Sequence, residues 1–349
     1  MKIERRDFIK GALGGLALTL SGTQFTFAKP AAFNGGSFPV NVFIPDNYRP
    51  PYRDSGYAAQ LTRATLEVLQ RHYSQKKMPV WDRRFGEVDM EKRIRNIVYW
   101  LMIAVRQSER IYPVDPAFIM AMIMKESYFY EFAVSSSLAA GICQFVQPTA
   151  QEYGMLCAGT LAEHGRAPYR STQFAGSVGE YYKIRRDRKK YRRNHRPAKR
   201  FSLEEALEII QRDTAGRYSK DAREHLDYLK ALRKFDERRR RARDDFRQYL
   251  RENAAGRDIF DRRDLQFILG FDERFTYKKP VLGMVKMIAR SLKAREGNVL
   301  AAAIGFNAGL SSTRAAGRYQ PYGKIPAIEQ STTYLSHVLV NHFEICQKL

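Results

Sequence analysis

The sequence predicts a mainly α-helical protein with a long, basic helical insertion. Apolar residues recur at intervals of three and four, helix-capping patterns precede several of these runs, and almost no segment alternates as a strand would. The chain has 349 residues, of which 44% are hydrophobic, so it is long enough to bury a substantial core. We therefore expect one large helical domain at residues 51–176 and 259–349, interrupted by an insertion at 177–258.

The first 28 residues have the features of an export signal. Arg5, Arg6 and Lys10 precede the apolar run ALGGLALTLSG, and Ala28 is a small residue suited to cleavage. The run is shorter than the roughly 20 residues that span a bilayer. Arg5-Arg6 with Phe8 is also similar to a twin-arginine signal. We expect export to the periplasm or cell envelope with cleavage after Ala28. Retention as an anchor and an ordinary disordered N-terminus are the alternatives.

The main domain is predicted to consist almost entirely of helices. Residues 29–50 are rich in Pro, Gly and Phe without periodicity, and they predict an extended arm before this domain. Asp89 is suited to cap a helix, and Asp115 followed by Pro116 is a favoured helix start. The predicted helices lie at about 56–72, from 89 onward, at 115–127, at 280–295, from 298 onward and at 332–347.

The insertion carries much of the positive charge. The whole chain has a formal net charge of +23, and residues 183–200 hold eleven Lys or Arg against one acid. Ser202 with Glu205 forms a capping-box pattern that predicts a helix. A longer helix is expected at about 220–254. Its predicted apolar side consists of Leu226, Leu229, Leu232 and Phe235.

Such a charge balance implies an anionic partner or a solvated face. The candidate partners of the insertion are an anionic wall polymer, the headgroups of a lipid surface, and an envelope protein. Tyrosines at 181, 182 and 191 lie among the cations, a pattern that also suits single-stranded nucleic acid. The predicted export does not favour nucleic acid as the partner.

The cysteines predict neither a disulfide framework nor a metal site. Cys143, Cys157 and Cys346 are few and odd in number, and they form no metal-ligand spacing. The sequence therefore predicts no metal and no cofactor.

Glu126 is the candidate catalytic residue. It comes at the C-terminal end of an apolar predicted helix, where the helix dipole disfavours a negative charge. Apolar neighbours such as Met122 and Phe129 would raise the pKa of the carboxyl group further by desolvation. A carboxyl group that is protonated at neutral pH can act as the general acid in glycosidic cleavage. The alternative is a solvated surface glutamate before a turn.

The segment AFIMAMIMKESYFYEFAVSSSLAAGICQF at 117–145 resembles the first two motifs of a known family. These are the lytic transglycosylases related to the catalytic domain of soluble murein transglycosylase, the SLT family. Glu126-Ser127, Ser135 and GICQ at 141–144 have the matching spacings. GFNAG at 305–309 and IPAIEQSTTYLSHVL at 325–339 resemble two further motifs. The resemblance covers residues 115–155 and 270–346.

The resemblance implies a lysozyme-like domain that cleaves the glycan strands of peptidoglycan. The bond is the β-1,4 link between N-acetylmuramic acid (MurNAc) and N-acetylglucosamine (GlcNAc), and the product carries a 1,6-anhydro ring. Glu126 would be the single acid and base, aided by the acetamido group of the substrate. The implied substrate-binding residues are Ser127, Ser135, Gln144, Phe306, Asn307 and Tyr334.

Each of the implied binding residues has a structural alternative. Ser135 would hydrogen-bond Glu126 or the acetamido group, or else be an ordinary turn serine. Gln144 would line the groove or be a buried structural amide. Asn307 would hold a helix start or touch sugar. Tyr334 would reach the Glu126 carboxyl group or be a core aromatic.

The chain departs from the family pattern near the candidate site. Phe306 replaces a Tyr, Cys143 replaces a Met, and Leu138 replaces a Gly, so the loop is expected to turn differently. Glu131 and Glu152 are expected to be solvated. A wall-binding or scaffold protein without activity is one alternative function. The other is a hydrolytic muramidase or chitinase that uses an acid from the insertion.

Overall fold

The computed structural model describes residues 43–212 and 215–349. The export signal predicted at 1–28 and most of the extended arm predicted at 29–50 lie outside the described residues. The structure is 65% helical with no strand in the described part, where only isolated bridge pairs occur. The predicted mainly α-helical fold is therefore confirmed.

The described residues contain eleven α-helices. They are α1 (Tyr57–Tyr73), α2 (Met90–Ser108), α3 (Pro116–Ser127), α4 (Gln147–Glu152), α5 (Ser177–Asn194), α6 (Leu203–Gln211), α7 (Ser219–Ala254), α8 (Arg262–Phe271), α9 (Lys278–Ala294), α10 (Val299–Ala308) and α11 (Glu329–Cys346). Two compact units divide them. The main unit comprises residues up to 157 together with 257–349, and the second unit comprises residues 158–256.

The main unit is built around α3, which is buried over nearly its whole length. Asp115 caps this helix, since its carboxylate accepts a hydrogen bond of 2.9 Å from the Ala117 amide. The same carboxylate lies 2.7 Å from Nε2 of His342 on α11, which packs against α3. A helix that is apolar all round must lie in the interior. The sequence of α3 therefore places it at the centre of this unit.

Helix α2 forms as its sequence predicts. The Asp89 side chain accepts a hydrogen bond of 3.0 Å from the Lys92 amide and so caps the helix. The apolar series predicted for this helix, Ile94, Val98, Leu101, Met102 and Val105, is buried. These side chains pack against α1 and α9.

Two helices of the main unit were not predicted. Helix α4 has only six residues, too few for a periodic pattern, and a Pro occupies its second position. Helix α8 does carry a start signal, because the Asp261 carboxylate accepts hydrogen bonds from the amides of Arg263 and Asp264. An Asp before a helical pattern at 262–271 was the signal that could have revealed it.

In the second unit, α5 packs against α7. The apolar side predicted for α7 is wrong in part, since Leu226 and Leu229 are 50% and 43% exposed. The helix is rotated so that Tyr228 is buried instead, with its ring stacked on Tyr191 of α5. Arg188 and Asp236 add an ion pair of 2.9 Å between the same two helices. A stacked tyrosine pair and an ion pair therefore join α5 and α7 where contacts of Leu226 and Leu229 were predicted.

No helix in the described ranges is both long enough and apolar enough to span a membrane.

Candidate active site

A cavity of about 220 Å³ lies in the main unit at the end of α3. Its walls come from the end of α3, the loop 133–146, the end of α10 and the first turns of α11. Six of the seven predicted site residues line it. They are Glu126, Ser135, Gln144, Phe306, Asn307 and Tyr334.

Glu126 is half-buried in the last turn of α3. The helix ends at the next residue, Ser127, since Tyr128 and Phe129 both adopt left-handed backbone conformations with φ of 51° and 63°. The Trp81 indole donates a hydrogen bond of 2.7 Å to the Tyr128 carbonyl and holds this turn in place. Two consecutive left-handed residues of this kind cost about 1–2 kcal/mol each. Such strain is typical of functional sites.

Ser127 does not line the cavity. Its side chain is fully buried, and its hydroxyl donates a hydrogen bond of 2.8 Å to the Ile142 carbonyl. The predicted substrate contact is therefore wrong. Ser127 instead ties the end of α3 to the loop that carries Ser135 and Gln144.

Internal hydrogen bonds hold the cavity loop. The Ser135 hydroxyl oxygen accepts hydrogen bonds from the amides of Ala139 at 3.0 Å and Ser137 at 3.3 Å. The hydroxyl hydrogen of Ser135 can still be donated, either to the Ser137 hydroxyl 3.0 Å away or into the cavity. The predicted bond between Ser135 and Glu126 is not formed.

Gln144 combines the two roles proposed for it. Its side-chain nitrogen donates hydrogen bonds to the Gly141 carbonyl at 2.8 Å and the Ala133 carbonyl at 3.2 Å. The side chain nevertheless lines the cavity. Gln144 thus fixes the loop and presents part of its surface to a ligand.

Leu138, at the position where the family pattern has Gly, lies in the loop that forms one wall of the cavity. The residue adopts a φ of 63°, the left-handed conformation that glycine favours, and its side chain is fully buried. Burial of the leucine side chain offsets the strain of its backbone.

A buried ion pair outside the predicted motifs holds the same loop. Arg274 is fully buried, and its guanidinium donates to both carboxylate oxygens of Asp272, at 2.9 Å and 2.6 Å. The same group donates to the carbonyls of Leu138 at 3.1 Å and Phe145 at 3.2 Å. A Cβ at Gly141 would come within 1.7 Å of the Arg274 carbonyl oxygen, so only glycine fits there. The sequence DERF at 272–275 gave little sign of this role, because charged residues are normally exposed.

The end of α10 forms the wall opposite the loop. Phe306 packs edge-on against Phe145, with 5.8 Å between ring centroids. Asn307 lies one residue before the end of α10, and the helix start is capped by Asn298, whose side chain accepts from the Ala301 amide at 3.1 Å. The alternative that Asn307 holds a helix start is therefore wrong. Both residues face the cavity.

A lysine that was not predicted lies beside the candidate acid. Lys125 lines the cavity although its side chain is nearly fully buried. Burial lowers the pKa of Lys125, and the negative charge of Glu126 acts in the opposite direction. The cavity therefore contains a carboxyl group and an amino group from adjacent residues. Other polar lining residues that were not predicted are Ser137, Thr149, Gln330 and Thr333.

The remaining ionisable groups near the motif lie away from the cavity. Cys143 is fully buried, and burial and the charge of Glu126 together raise the pKa of its thiol well above the usual range. Glu131 is 1% exposed and paired with Arg93 at 2.9 Å, so the prediction that it is solvated is wrong. Glu152 is exposed as predicted. Within the described ranges, Glu126 is the only carboxylic acid that lines the cavity.

The described residues contain no candidate metal site. Among the described residues, no three His, Cys, Asp or Glu side chains cluster in a way that could hold a metal ion.

The main unit is helical, and its cavity at the end of α3 contains one carboxyl group among the described residues. Residues 103–178 match the family model described as Transglycosylase SLT domain. The match confirms the predicted resemblance to the SLT family of lytic transglycosylases. It supports a transglycosylase-type enzyme with peptidoglycan as its substrate. The matched segment contains Glu126 and the cavity loop, whereas α10 and α11 lie outside it.

Neither the search of curated proteins nor the search of solved structures found a match to this chain.

Proposed function

We propose that this protein is an exported peptidoglycan lytic transglycosylase that cleaves MurNAc-β-1,4-GlcNAc bonds and forms 1,6-anhydro-MurNAc, with Glu126 as its single acid and base. One observation carries the proposal: Glu126 is the only carboxylic acid among the described residues that line the cavity. A two-carboxylate glycosidase needs a second acid within about 5–10 Å. With one acid in the cavity, we assign the attacking group to the substrate rather than to a second carboxylate.

In the first step, Glu126 donates its proton to the glycosidic oxygen while the bond between MurNAc C1 and that oxygen breaks. GlcNAc leaves with a hydroxyl group at C4. The acetamido group on C2 of MurNAc stabilises the positive charge that develops at C1. The protein needs no nucleophile for this step, which agrees with the inert, buried Cys143 thiol.

In the second step, the Glu126 carboxylate accepts the proton of the MurNAc C6 hydroxyl. The C6 oxygen attacks C1 and closes the 1,6-anhydro ring, which restores the protonated acid. No water is consumed, so the reaction is an elimination in outcome. One residue can serve both steps because the proton that it gives to the leaving GlcNAc is replaced by the proton that it takes from the C6 hydroxyl.

The cavity walls supply the substrate contacts in this proposal. Phe306 and Phe145 form an apolar surface for a sugar ring. Gln144 and Asn307 provide polar groups on opposite walls. Since the loop is fixed by its own hydrogen bonds, its donors and acceptors are placed before the substrate binds.

Replacement of Glu126 by Gln tests the proposal. The amide keeps the size of the side chain but cannot transfer the proton, so we expect activity to fall by about a hundredfold or more. The assay is mass spectrometry of the products released from purified murein sacculi. Glu152→Gln is the matched control, because Glu152 is exposed and outside the cavity.

Three outcomes would decide between this function and its alternatives. Anhydro ends that disappear in Glu126→Gln support the proposal. Reducing ends would instead indicate a hydrolase. An absence of products from the unaltered protein would indicate a wall-binding role without catalysis.

Export is the second part of the proposal, and it rests on residues 1–28. Arg5→Lys together with Arg6→Lys should retain the chain in the cytoplasm if a twin-arginine receptor reads this segment. Cell fractionation measures the result. Unchanged release into the envelope would contradict the twin-arginine assignment.

A further inference from the structure

Helix α6 in the second unit exposes its apolar face. Leu203, Leu207 and Ile210 are 78%, 57% and 68% exposed. Their spacing of four and three residues places them on one side of the helix. The acids of α6, at positions 204, 205 and 208, lie on the opposite side. The helix is therefore amphipathic, with an apolar face that no described residue of its unit covers.

The stability of a helix of nine residues depends on packing of its apolar face against another surface. Isolated helices shorter than about 12–15 residues are marginal in water, and most of the stability of a protein helix comes from packing. The capping box of α6 is complete, since the Ser202 hydroxyl accepts from the Glu205 amide at 3.1 Å and the Glu205 carboxylate accepts from the Ser202 amide at 2.7 Å. Capping fixes the start of the helix but buries none of its apolar surface.

Two further leucines are exposed at the same end of the unit. Phe201, just before α6, packs against Tyr218 and His225 at the start of α7, with ring centroids 6.0 Å and 6.1 Å apart. Leu226 and Leu229 lie in the next turns of α7 and are half-exposed. Exposed aliphatic side chains are thus concentrated where α6 meets the start of α7.

The same end carries exposed cations. Tyr191 of α5 stacks on Tyr228 of α7, which places the C-terminal half of α5 beside the start of α7. Six basic residues of this half and of the following segment form no ion pair with a described residue, whereas Arg188 pairs with Asp236. They are Lys189, Lys190, Arg192, Arg193, Arg196 and Arg200. Residues 158–256 as a whole hold 27 Lys or Arg against 15 Asp or Glu, a net of +12.

We propose that this apolar–basic surface, formed by Leu203, Leu207 and Ile210 with the cations of residues 189–200, binds a lipid bilayer with anionic headgroups. A bilayer surface offers negative charge at the headgroups and an apolar layer beneath them. An anionic wall polymer offers the charge alone and would leave the leucines in water. A second copy would bring two units of +12 together, which repel each other.

Binding of the full-length chain to vesicles tests this surface. Co-sedimentation would compare vesicles that contain phosphatidylglycerol with vesicles of phosphatidylcholine alone, over a range of salt concentrations. We expect binding only to the anionic vesicles, and we expect salt to weaken it, because screening acts on exposed charges. Residues 1–28 are identical in every variant, so comparison between variants isolates the contribution of the second unit.

Two pairs of substitutions separate the apolar and the electrostatic parts. Lys189→Gln with Arg192→Gln should weaken vesicle binding by about 25-fold, since each cation near an anionic surface contributes about fivefold. The matched control is Lys286→Gln with Lys293→Gln, which removes the same charge from exposed positions on α9 and should leave binding unchanged.

Leu207→Ser with Ile210→Ser removes apolar surface without a change in charge. We expect this pair to weaken binding by about tenfold or more, since each buried methylene contributes about 0.8 kcal/mol. Leu161→Ser, at another exposed leucine of the unit, is the control and should have no effect.

Several outcomes would overturn the proposal. Equal binding by the Leu207→Ser, Ile210→Ser variant would show that the apolar face of α6 does not enter the bilayer. Retention by anionic wall polymer without vesicle binding would assign the cations to that polymer. Dimers that the same double substitution dissolves, measured by light scattering, would assign the face to a second copy. None of these results depends on catalytic activity, so the proposal can fail while the proposed enzyme function stands.

Discussion

The left-handed conformation of Leu138 leads to a prediction that the sequence alone would not give. At most buried positions, replacement of alanine by glycine destabilises a protein because glycine loses more chain entropy and one methyl group. At Leu138 the backbone has a φ of 63°, where any Cβ is strained and glycine is not. We therefore expect the difference between the Ala and Gly variants to be much smaller there.

The magnitude follows from three terms. Glycine loses about 0.5–1 kcal/mol through chain entropy. The lost methyl group contributes about 0.8 kcal/mol. Removal of the left-handed strain returns about 1–2 kcal/mol. At Leu138, Leu→Ala should destabilise the protein by about 2–5 kcal/mol through lost burial, and the further step from Ala to Gly should change the stability by less than about 1 kcal/mol.

Leu101 is the matched control, because it is equally buried but lies inside α2 with helical geometry. There the step from Ala to Gly should destabilise by about 1.5–2 kcal/mol, since helix propensity and the methyl group act in the same direction. Urea unfolding of the four variants measures both steps, with the denaturant slope checked for constancy. An equal Ala-to-Gly step at the two positions would refute the argument that strain is stored at Leu138.

Two further predictions concern the stability of the main unit, one through the buried pair Asp272–Arg274 and one through His337. Arg274→Met leaves the Asp272 carboxylate buried without its partner and should destabilise by about 3–5 kcal/mol. Adding Asp272→Asn should recover part of that loss in urea unfolding, and additive losses would contradict the assignment. His337 has a pKa of about 4, below its usual 6.5, because burial and then the charge of Lys125 disfavour its protonated form. The unfolded chain binds the extra proton between about pH 6.5 and 4, so stability should fall as the pH falls through this window. Melting temperatures of His337→Gln should show a weaker pH dependence there, and an identical slope would remove His337 as the cause.

Local signals in the sequence predicted much of the fold, and the family resemblance indicated six of the residues that line the cavity. Caps such as Asp89 and Asp115 act within one turn, so their positions in the sequence are enough to locate the helix starts. Local signals do not show which residue far away in the sequence will pair with a given side chain. Glu131 was expected in solvent because most glutamates are exposed, yet a guanidinium far away in sequence, that of Arg93, pairs with it in the interior.

The errors at the site have the same physical origin. Ser127 follows the catalytic candidate directly, and the spacing could not show that the rotation between adjacent helix residues directs its hydroxyl toward the Ile142 carbonyl. Lys125 was overlooked because a lysine next to a glutamate is usually a solvated pair. Both cases depend on which side of α3 faces the interior, and an all-apolar helix has no amphipathic pattern to reveal that side.

The buried pair Asp272–Arg274 stabilises the cavity loop from outside the segment that matches the family model. The segment that matches the SLT family model, residues 103–178, contains Glu126 and the cavity loop. The shape of that loop, however, depends on Arg274, which holds the carbonyls of Leu138 and Phe145 from a position beyond the second unit. Phe145 in turn supports Phe306 on the opposite wall. The cavity is therefore a product of both halves of the main unit, and a fragment limited to the matching segment would lack the groups that give the loop its conformation.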